Sequence, residues 1–419
     1  MSYFASAFRE ETKKYKDKSY SAESTLPVAY PTTLLPLDYA NGMLVRYEDI
    51  DSGNEYEYES IGLAEGGIIM LVGKPGTAKS TFAIQVAASI TAPFKESVII
   101  YDDNEGGTNL QRIANISDMT MKQVKRKVIH RNVGINAENF FERVNMHCNQ
   151  KIRGAEMNPE MATYFTGLYD EEGMPIHKLI PTVYVLDSLA LLSSKDLSEE
   201  EQLKGQMSTT AQAKNNAQIF RRFTQKLKEA NVILIVINHI NDKVEINPFA
   251  KTQAQINYLG MNETVPGGNT PLYLSNNILK FIASDKLVRG AKNNPYDIDG
   301  FIVKVKLIKS RSNRAGQEIK LVFNQNKGFD RILTNYIFLK DAGYILGGGS
   351  SFYIKGCDHV KFAQKNFYKK FIESEELREA MRDCILEECR EMLPDYTEDE
   401  GDVSQHEMYR RLRDIFMDE

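Results

Sequence analysis

The stretch Gly66-Gly67-Ile68-Ile69-Met70-Leu71-Val72-Gly73-Lys74-Pro75-Gly76-Thr77-Ala78-Lys79-Ser80-Thr81 restricts most tightly what this chain can fold into. Five apolar residues, Ile68 to Val72, make a buried strand that stops at Gly73. The loop then opens into Phe82-Ala83-Ile84-Gln85-Val86-Ala87-Ala88-Ser89-Ile90, whose apolar spacing predicts a helix. A strand, a loop of small residues, a Lys-Ser pair and a helix form a cradle for phosphate. Backbone N–H groups at the helix start face the anion, while Lys79 reaches the terminal phosphates and the Ser80 hydroxyl ligates Mg2+. Gly73, Lys74, Pro75, Gly76, Thr77, Ala78, Lys79, Ser80 and Thr81 are the candidate nucleotide-binding residues. The strict pattern has glycine before the lysine, and this chain has Ala78. Alanine fits there if its φ stays negative.

Two further strand ends carry acids. Val183-Tyr184-Val185-Leu186 ends in Asp187, where a phosphate-loop fold supports Mg2+ directly or through water. Val98-Ile99-Ile100-Tyr101 ends in Asp102-Asp103-Asn104-Glu105-Gly106-Gly107. Hydrolysis of a nucleoside triphosphate needs a base or water-positioning group near the γ-phosphate. Glu105 is the first choice and Asp103 the second; the competing reading has these acids cap the helix that follows Thr108. A third strand, Val232 to Ile237, ends in Asn238-His239, where a polar group can sense the γ-phosphate and pass its presence to the next loop.

Strands and helices alternate from Ile68 onward: strand 68–72, helix 80–92, strand 97–101, helix near 108–116, a short apolar run at Val128-Ile129-His130, helix 137–150, strand 183–186, helix near 208–230 and strand 232–237. This predicts an α/β fold with a mostly parallel sheet covered on both faces. Strands near 278–284, 301–308 and 318–324 lack intervening helices and read as an antiparallel extension. The expected organisation is an N-terminal arm and proline-containing linker over 1–36, a core over 37–331 interrupted by an insertion at 151–180, and a helical region with an acidic tail over 332–419. The net charge of −5 confines nucleic-acid binding to local patches. Four cysteines without a CxxC pair suggest a reducing, cytoplasmic setting, and no apolar run reads as a membrane span or signal peptide.

In this order, the pieces resemble the RecA-type recombinases, in particular the tailed-phage UvsX branch. The resemblance runs from about residue 60 to about 385 and rests on Gly73–Thr81, Tyr101-Asp102 and its acidic neighbours, Val128-Ile129-His130, Leu186-Asp187-Ser188, Ile237-Asn238-His239, Pro266-Gly267-Gly268-Asn269 with Pro271-Leu272-Tyr273, and Lys309-Ser310-Arg311. UvsX proteins also lack the glycine before the loop lysine and carry Asn-His after the sensor strand. The resemblance implies a RecA-like phosphate-loop ATPase core that uses ATP and Mg2+, with Lys79, Ser80 and Thr81 on phosphates and metal and Asp187 as the second acidic motif. The family's glutamate falls at Asn104 without a gap and at Glu105 with a one-residue shift. Its adenine-stacking tyrosine has no clear counterpart, Gln111 standing nearest. Lys309 and Arg311 match the basic pair that reaches across a filament interface to the neighbour's ATP, and Tyr273 an aromatic that packs on the next subunit.

Two loops contact DNA by resemblance. The first lies near 194–207, with Met207 at the position of a base-wedging methionine. The second runs from Asn241 to Pro266, where Lys243, Lys251 and neighbouring amides suit phosphate and base contacts and Phe249 and Tyr258 suit stacking. Gly267 and Gly268 would let its base hinge before Asn269. The implied partners are single- and double-stranded DNA, further copies of the chain in a helical filament, and mediator and single-strand-binding proteins, with no membrane. If the chain is phage-encoded, the setting is a bacterial host's cytoplasm. Three functions remain open at this point: a strand-exchange recombinase, a hexameric RecA-like helicase, and a nucleotide-regulated DNA-binding scaffold without turnover.

Overall fold

The computed structural model describes residues 26–48, 55–132, 136–170, 173–192, 224–242, 254–291, 294 and 296–394. Its centre is a nine-stranded sheet built from β1 (Ile68–Gly73), β2 (Ile99–Asp103), β3 (Val128–Arg131), β4 (Thr182–Asp187), β5 (Val232–His239), β6 (Asn277–Leu287), β7 (Gly300–Lys309), β8 (Glu318–Asn324) and β9 (Gly328–Asp330). The strand order is β9-β8-β7-β6-β1-β5-β4-β2-β3. The six strands from β6 to β3 run parallel, and β7, β8 and β9 add on antiparallel. One expectation is thereby adjusted: the segment near 278–284 belongs to the parallel part, and the antiparallel extension starts one strand later.

The central strands β1, β4 and β5 carry unbroken apolar runs because both faces are covered, whereas β7 alternates with lysines. Successive residues alternate between faces. Ile69, Leu71, Val183, Val185, Ile233 and Ile235 pack with α2 (Lys79–Thr91), α3 (Leu110–Ser117) and α4 (Met121–Lys127). Ile68, Met70, Tyr184, Leu186, Leu234 and Val236 pack with α5 (Ala137–Met157) and with Leu227. Of the helix expected near 208–230, residues 224–229 are helical and the rest lies outside the described residues.

Three segments carry structure that the sequence pattern does not announce. Tyr30, Leu34 and Leu37 are buried in the main core, so the proline-containing stretch before residue 37 is packed, partly through α1 (Leu35–Asn41). Residues 151–180 continue α5, make a short helix at Pro159–Ala162 and then a hairpin of Thr163–Tyr169 with Pro175–Leu179. The region after 331 is not wholly helical. Between α7 (Arg331–Asp341) and α8 (Phe367–Glu373) with α9 (Glu375–Arg390) lies a three-stranded sheet, β10 (Ile345–Gly348), β11 (Ser351–Ile354) and β12 (Cys357–Phe362). Strands of four to six residues with no sustained alternation do not announce themselves in the sequence. This lobe has its own core around Tyr336, Phe362, Phe367, Leu377 and Met381. No helix among the described residues is long and apolar enough to cross a membrane.

Candidate nucleotide site at the carboxyl edge of the sheet

The sheet register gathers the site. Gly73 lies level with His239, Ile237 with Asp187, and Asp187 with Asp103. Adjacent strands are about 4.8 Å apart, so the phosphate loop, His239, Asp187 and the loop after Asp103 emerge side by side at the carboxyl ends of parallel strands. That edge is where open α/β sheets take their ligands.

The loop from Lys74 turns at Gly76 (φ 75°) and at Ala78 (φ 65°, ψ 23°) before α2 begins. The condition set for alanine at this position, a negative φ, is not met: Ala78 occupies the left-handed region that glycine would enter without cost. Thr77 Oγ1 donates to the Lys74 carbonyl at 2.9 Å, and Lys79 Nζ donates to the carbonyls of Gly73 and Lys74, each at 2.9 Å. Burial lowers Lys79 to about 8, with the Asp187 and Glu105 carboxylates acting the other way.

Asp187 is buried, and burial raises its carboxyl above the usual range against the opposing Ser80 and Tyr101 hydroxyls. Tyr101 donates to Oδ2 at 2.7 Å. Oδ1 is buried and makes no hydrogen bond of ordinary geometry among the described residues. A carboxylate oxygen left over beside the Ser80 hydroxyl is what a Mg2+ ligand pair requires, so these residues fit the ion. The Asp187–Ser188 peptide is cis.

The acidic cluster divides by role. Asp103 accepts from the backbone N–H of Gly106 and of Thr108, both at 2.8 Å, and so shapes the loop. Asp102 accepts from the Tyr184 hydroxyl at 2.5 Å, on the sheet face opposite Tyr101. Glu105 is the member turned to the site, 2.9 Å from His239 Nε2. The N–H groups of Asn104 and Glu105 both donate to the Asp187 carbonyl, at 2.6 and 3.3 Å. His239 belongs to the same constellation, and its neighbour Asn238 donates to the Pro266 carbonyl at 2.8 Å, on the return leg of the second loop.

Gln111 donates to Asn115 on the surface of α3, away from the loop, whereas Arg112 reaches Thr81 Oγ1 at 3.4 Å. Sequence reasoning missed Arg112, one step from Gln111 on the helix that packs against α2, and it missed the Tyr101 hydroxyl, whose signal was a tyrosine one residue before the acids. It also missed Lys74, beyond its loop role, as a 3.1 Å partner of Asp242 at the start of the second loop.

That loop is closed at its base by Asn241 opposite Thr264 and Asp242 opposite Glu263. Gly267 (φ 95°) and Gly268 (φ 86°) lead into α6 (Asn269–Leu274), where Asn269 Oδ1 accepts from Gln255. Tyr258 is half-exposed with the Lys306 ammonium 5.6 Å from its ring centre. Met207, Lys243, Phe249 and Lys251, the stretch 194–207, the arm up to residue 25 and the acidic segment from Asp395 lie outside the described residues.

Lys309 and Arg311 are not brought to this edge. Lys309 pairs with Ile278, which is level with Met70, three residues before Gly73. Lys309 Nζ donates to the carbonyls of Leu272 (2.9 Å) and Tyr273 (2.5 Å), and Arg311 to that of Tyr273 (3.1 Å). Burial and the neighbouring Arg311 lower Lys309 to about 8.

Fold and site together define an α/β phosphate-loop core of the RecA-like kind. No family model matches the chain. It is similar to Protein RecA of Mannheimia haemolytica, 28% identical over 177 residues that make 42% of this chain and 42% of that one. Protein RecA of Haemophilus ducreyi is 27% identical over 214 residues, 50% of each chain. Protein RecA of Colwellia psychrerythraea is 34% identical over 132 residues, 31% of this chain and 32% of that one. The chain thus spans half or less of the length of these curated relatives, and the similarity supports the RecA-type family.

Proposed function

We propose that this chain is an ATP-dependent DNA recombinase, a DNA-dependent ATPase that forms filaments on single-stranded DNA and catalyses homologous pairing and strand exchange in recombination, repair and recombination-dependent replication. The observation that carries the reading is the register that sets the phosphate loop, Asp187, Glu105 and His239 along one edge, with the strand of His239 running on into the second loop. Bound ATP and Mg2+ supply the scissile anhydride and its countercharge. The loop N–H groups and Lys79 would hold the phosphates, and Ser80 with Asp187 the metal. Glu105 would orient water and take its proton, positioned by His239.

The same geometry supports coupling to DNA. Lys74 holds Asp242 at the start of the second loop and Asn238 holds Pro266 at its end, so a change at the site is felt at both ends of that loop. Lys309 and Arg311, beside the exposed Tyr273, suit contact with a neighbouring copy's nucleotide. Ala78 and Asn238-His239 favour the UvsX branch within this reading. Double-stranded DNA, mediator and single-strand-binding proteins are the further partners it implies, in a cytoplasmic setting.

The test is ATP hydrolysis with and without single-stranded DNA, with electron microscopy of the same samples. Stimulated turnover on helical filaments is the expected result. Rings on DNA would indicate a helicase instead, and neither stimulation nor assembly would leave a nucleotide-binding scaffold.

A further inference from the structure

We infer that Cys357, His359 and Glu376 form a transition-metal site of the zinc type, which clips the last strand of the C-terminal lobe to its final helix. One ligand atom from each residue lies within 4.8 Å of the other two. The placement follows from local structure. Residues two apart on a strand share a face, so Cys357 and His359 of β12 point the same way from the tight turn at Lys355-Gly356, where Gly356 has φ 84° and Ile354 pairs with Cys357. Glu376 is the second residue of α9, whose start is fixed by Ser374 Oγ accepting from the Leu377 N–H at 3.2 Å.

The donor set argues for the class of ion. A thiolate is a poor ligand for Mg2+ or Ca2+, whereas sulfur, imidazole and carboxylate together suit Zn2+ and its Co2+ surrogate. Tetrahedral bonds of about 2.0–2.3 Å put ligand atoms about 3.5 Å apart. His359 Nε2 and Glu376 Oε2, at 2.7 Å, would separate slightly and the thiol would close in, both small rotamer changes for exposed arms above a buried sulfur. The Glu376 and Asp358 carboxylates are the charges that bear on the thiol, a negative setting that attracts a cation. Water would complete the fourth position.

The experiment uses the full untagged chain, freed of metal by a chelator and titrated with Co2+ and then Zn2+ in excess Mg2+, which competes for oxygen-ligand sites such as Ser80 with Asp187. The expected result is one Co2+ per chain with a thiolate charge-transfer absorption that Zn2+ removes. Cys357→Ser abolishes that absorption, and Cys384→Ser, which alters a buried thiol elsewhere in the same lobe, keeps it. His359→Ala should weaken binding on the order of 100-fold or more, since even outer-shell partners contribute 10–100-fold. His359 is exposed, so this variant tests the site without disturbing the core. Absence of a thiolate absorption, its survival in Cys357→Ser, or an unchanged Co2+ affinity in His359→Ala would overturn the proposal and leave an ordinary surface His–Glu pair over a buried cysteine.

Discussion

The two ends of the central sheet are finished to different degrees. At the carboxyl edge four parallel strands deliver a phosphate cradle, a buried carboxylate, a glutamate and a histidine, held by bonds within the chain. At the other end β7 releases Lys309 and Arg311, whose partners are the carbonyls that finish α6. Those carbonyls carry the negative end of a helix and hold cations well, but they perform no chemistry. The register places Lys309 level with Met70, roughly 10 Å back along the strand from Gly73 and two strands over. One end therefore presents anion-binding and acidic groups, and the other presents cations. A head-to-tail stack of identical chains is the arrangement that makes such ends meet, so a complete site in our reading belongs to two subunits.

The largest expected effect tests that division. Lys309→Ala and Arg311→Ala should each lower DNA-stimulated ATP turnover on the order of 10³-fold, as loss of a cation at the transferring phosphoryl group does, while a single chain still binds nucleotide. Lys79→Ala should be equally inactive. Mixed in equal amounts, Lys79→Ala and Lys309→Ala chains should regain about a quarter of the wild-type interfaces, each pairing an intact loop with an intact Lys309 of the neighbour. Turnover assays on the mixture decide: no recovery within intact filaments would mean that the far edge serves its own chain or nothing.

Within the near edge, Glu105→Gln should reduce turnover by about 10²–10⁴-fold and leave nucleotide binding in place. Asp103→Asn removes an acceptor for the Gly106 or Thr108 N–H and should act on loop stability more than on rate. The opposite ranking in single-turnover kinetics would transfer the role of base to Asp103.

The two lysines differ in what surrounds them, and pH exposes it. Both are lowered to about 8 by burial, but carboxylates support the charge of Lys79 while Arg311 opposes that of Lys309. Above pH 8 each loses the proton that a phosphate contact needs, so nucleotide-dependent assembly should weaken between pH 7 and 9. Stability of the isolated chain moves the other way. A lysine with a folded pKa near 8 and an unfolded value of about 10.4 leaves more protons on the unfolded chain between those limits, so this contribution rises with pH there and is lost below. Light scattering and urea midpoints across the range separate the two. Lys309→Arg, which stays charged, should hold assembly at pH 9; failure to do so would place the sensitivity at Lys79.

Much of the near edge was legible because its chemistry sits at strand ends. A run such as Val183–Leu186 that stops at Asp187 announces both a buried strand and the residue that leaves it. Strand direction was harder to read, since only the six-residue α6 precedes Asn277–Leu287, too short a run to announce a crossover, yet the strand runs parallel to β1. The hairpin at 163–179 and the sheet at 345–362 were not legible: their strands pair with near neighbours, but they are short and their apolar residues follow no sustained alternation. The division within the acidic cluster was hidden too. Asp102, Asp103 and Glu105 are alike in sequence, and only the turn that offers the Gly106 and Thr108 N–H groups to Asp103 leaves Glu105 facing His239.

The smallest effect concerns Ala78, the non-glycine residue of the phosphate loop that takes a left-handed backbone. Ala78 sits at φ 65°, ψ 23°, where a Cβ costs on the order of 1 kcal/mol. Ala78→Gly removes that strain but returns about 0.4–1 kcal/mol of freedom to the unfolded chain. The two nearly cancel, so the variant should lie between unchanged and about 0.6 kcal/mol more stable. If φ were negative in solution, no strain would be relieved, and glycine at the head of α2 would cost roughly 0.5–1 kcal/mol. The sign of one denaturation midpoint shift therefore reports the loop's conformation without any nucleotide present. A stabilised or unchanged variant means that the chain itself holds the cradle in its anion-binding shape before phosphate arrives. A destabilised one means that the near edge, like the far one, is completed only by what binds there.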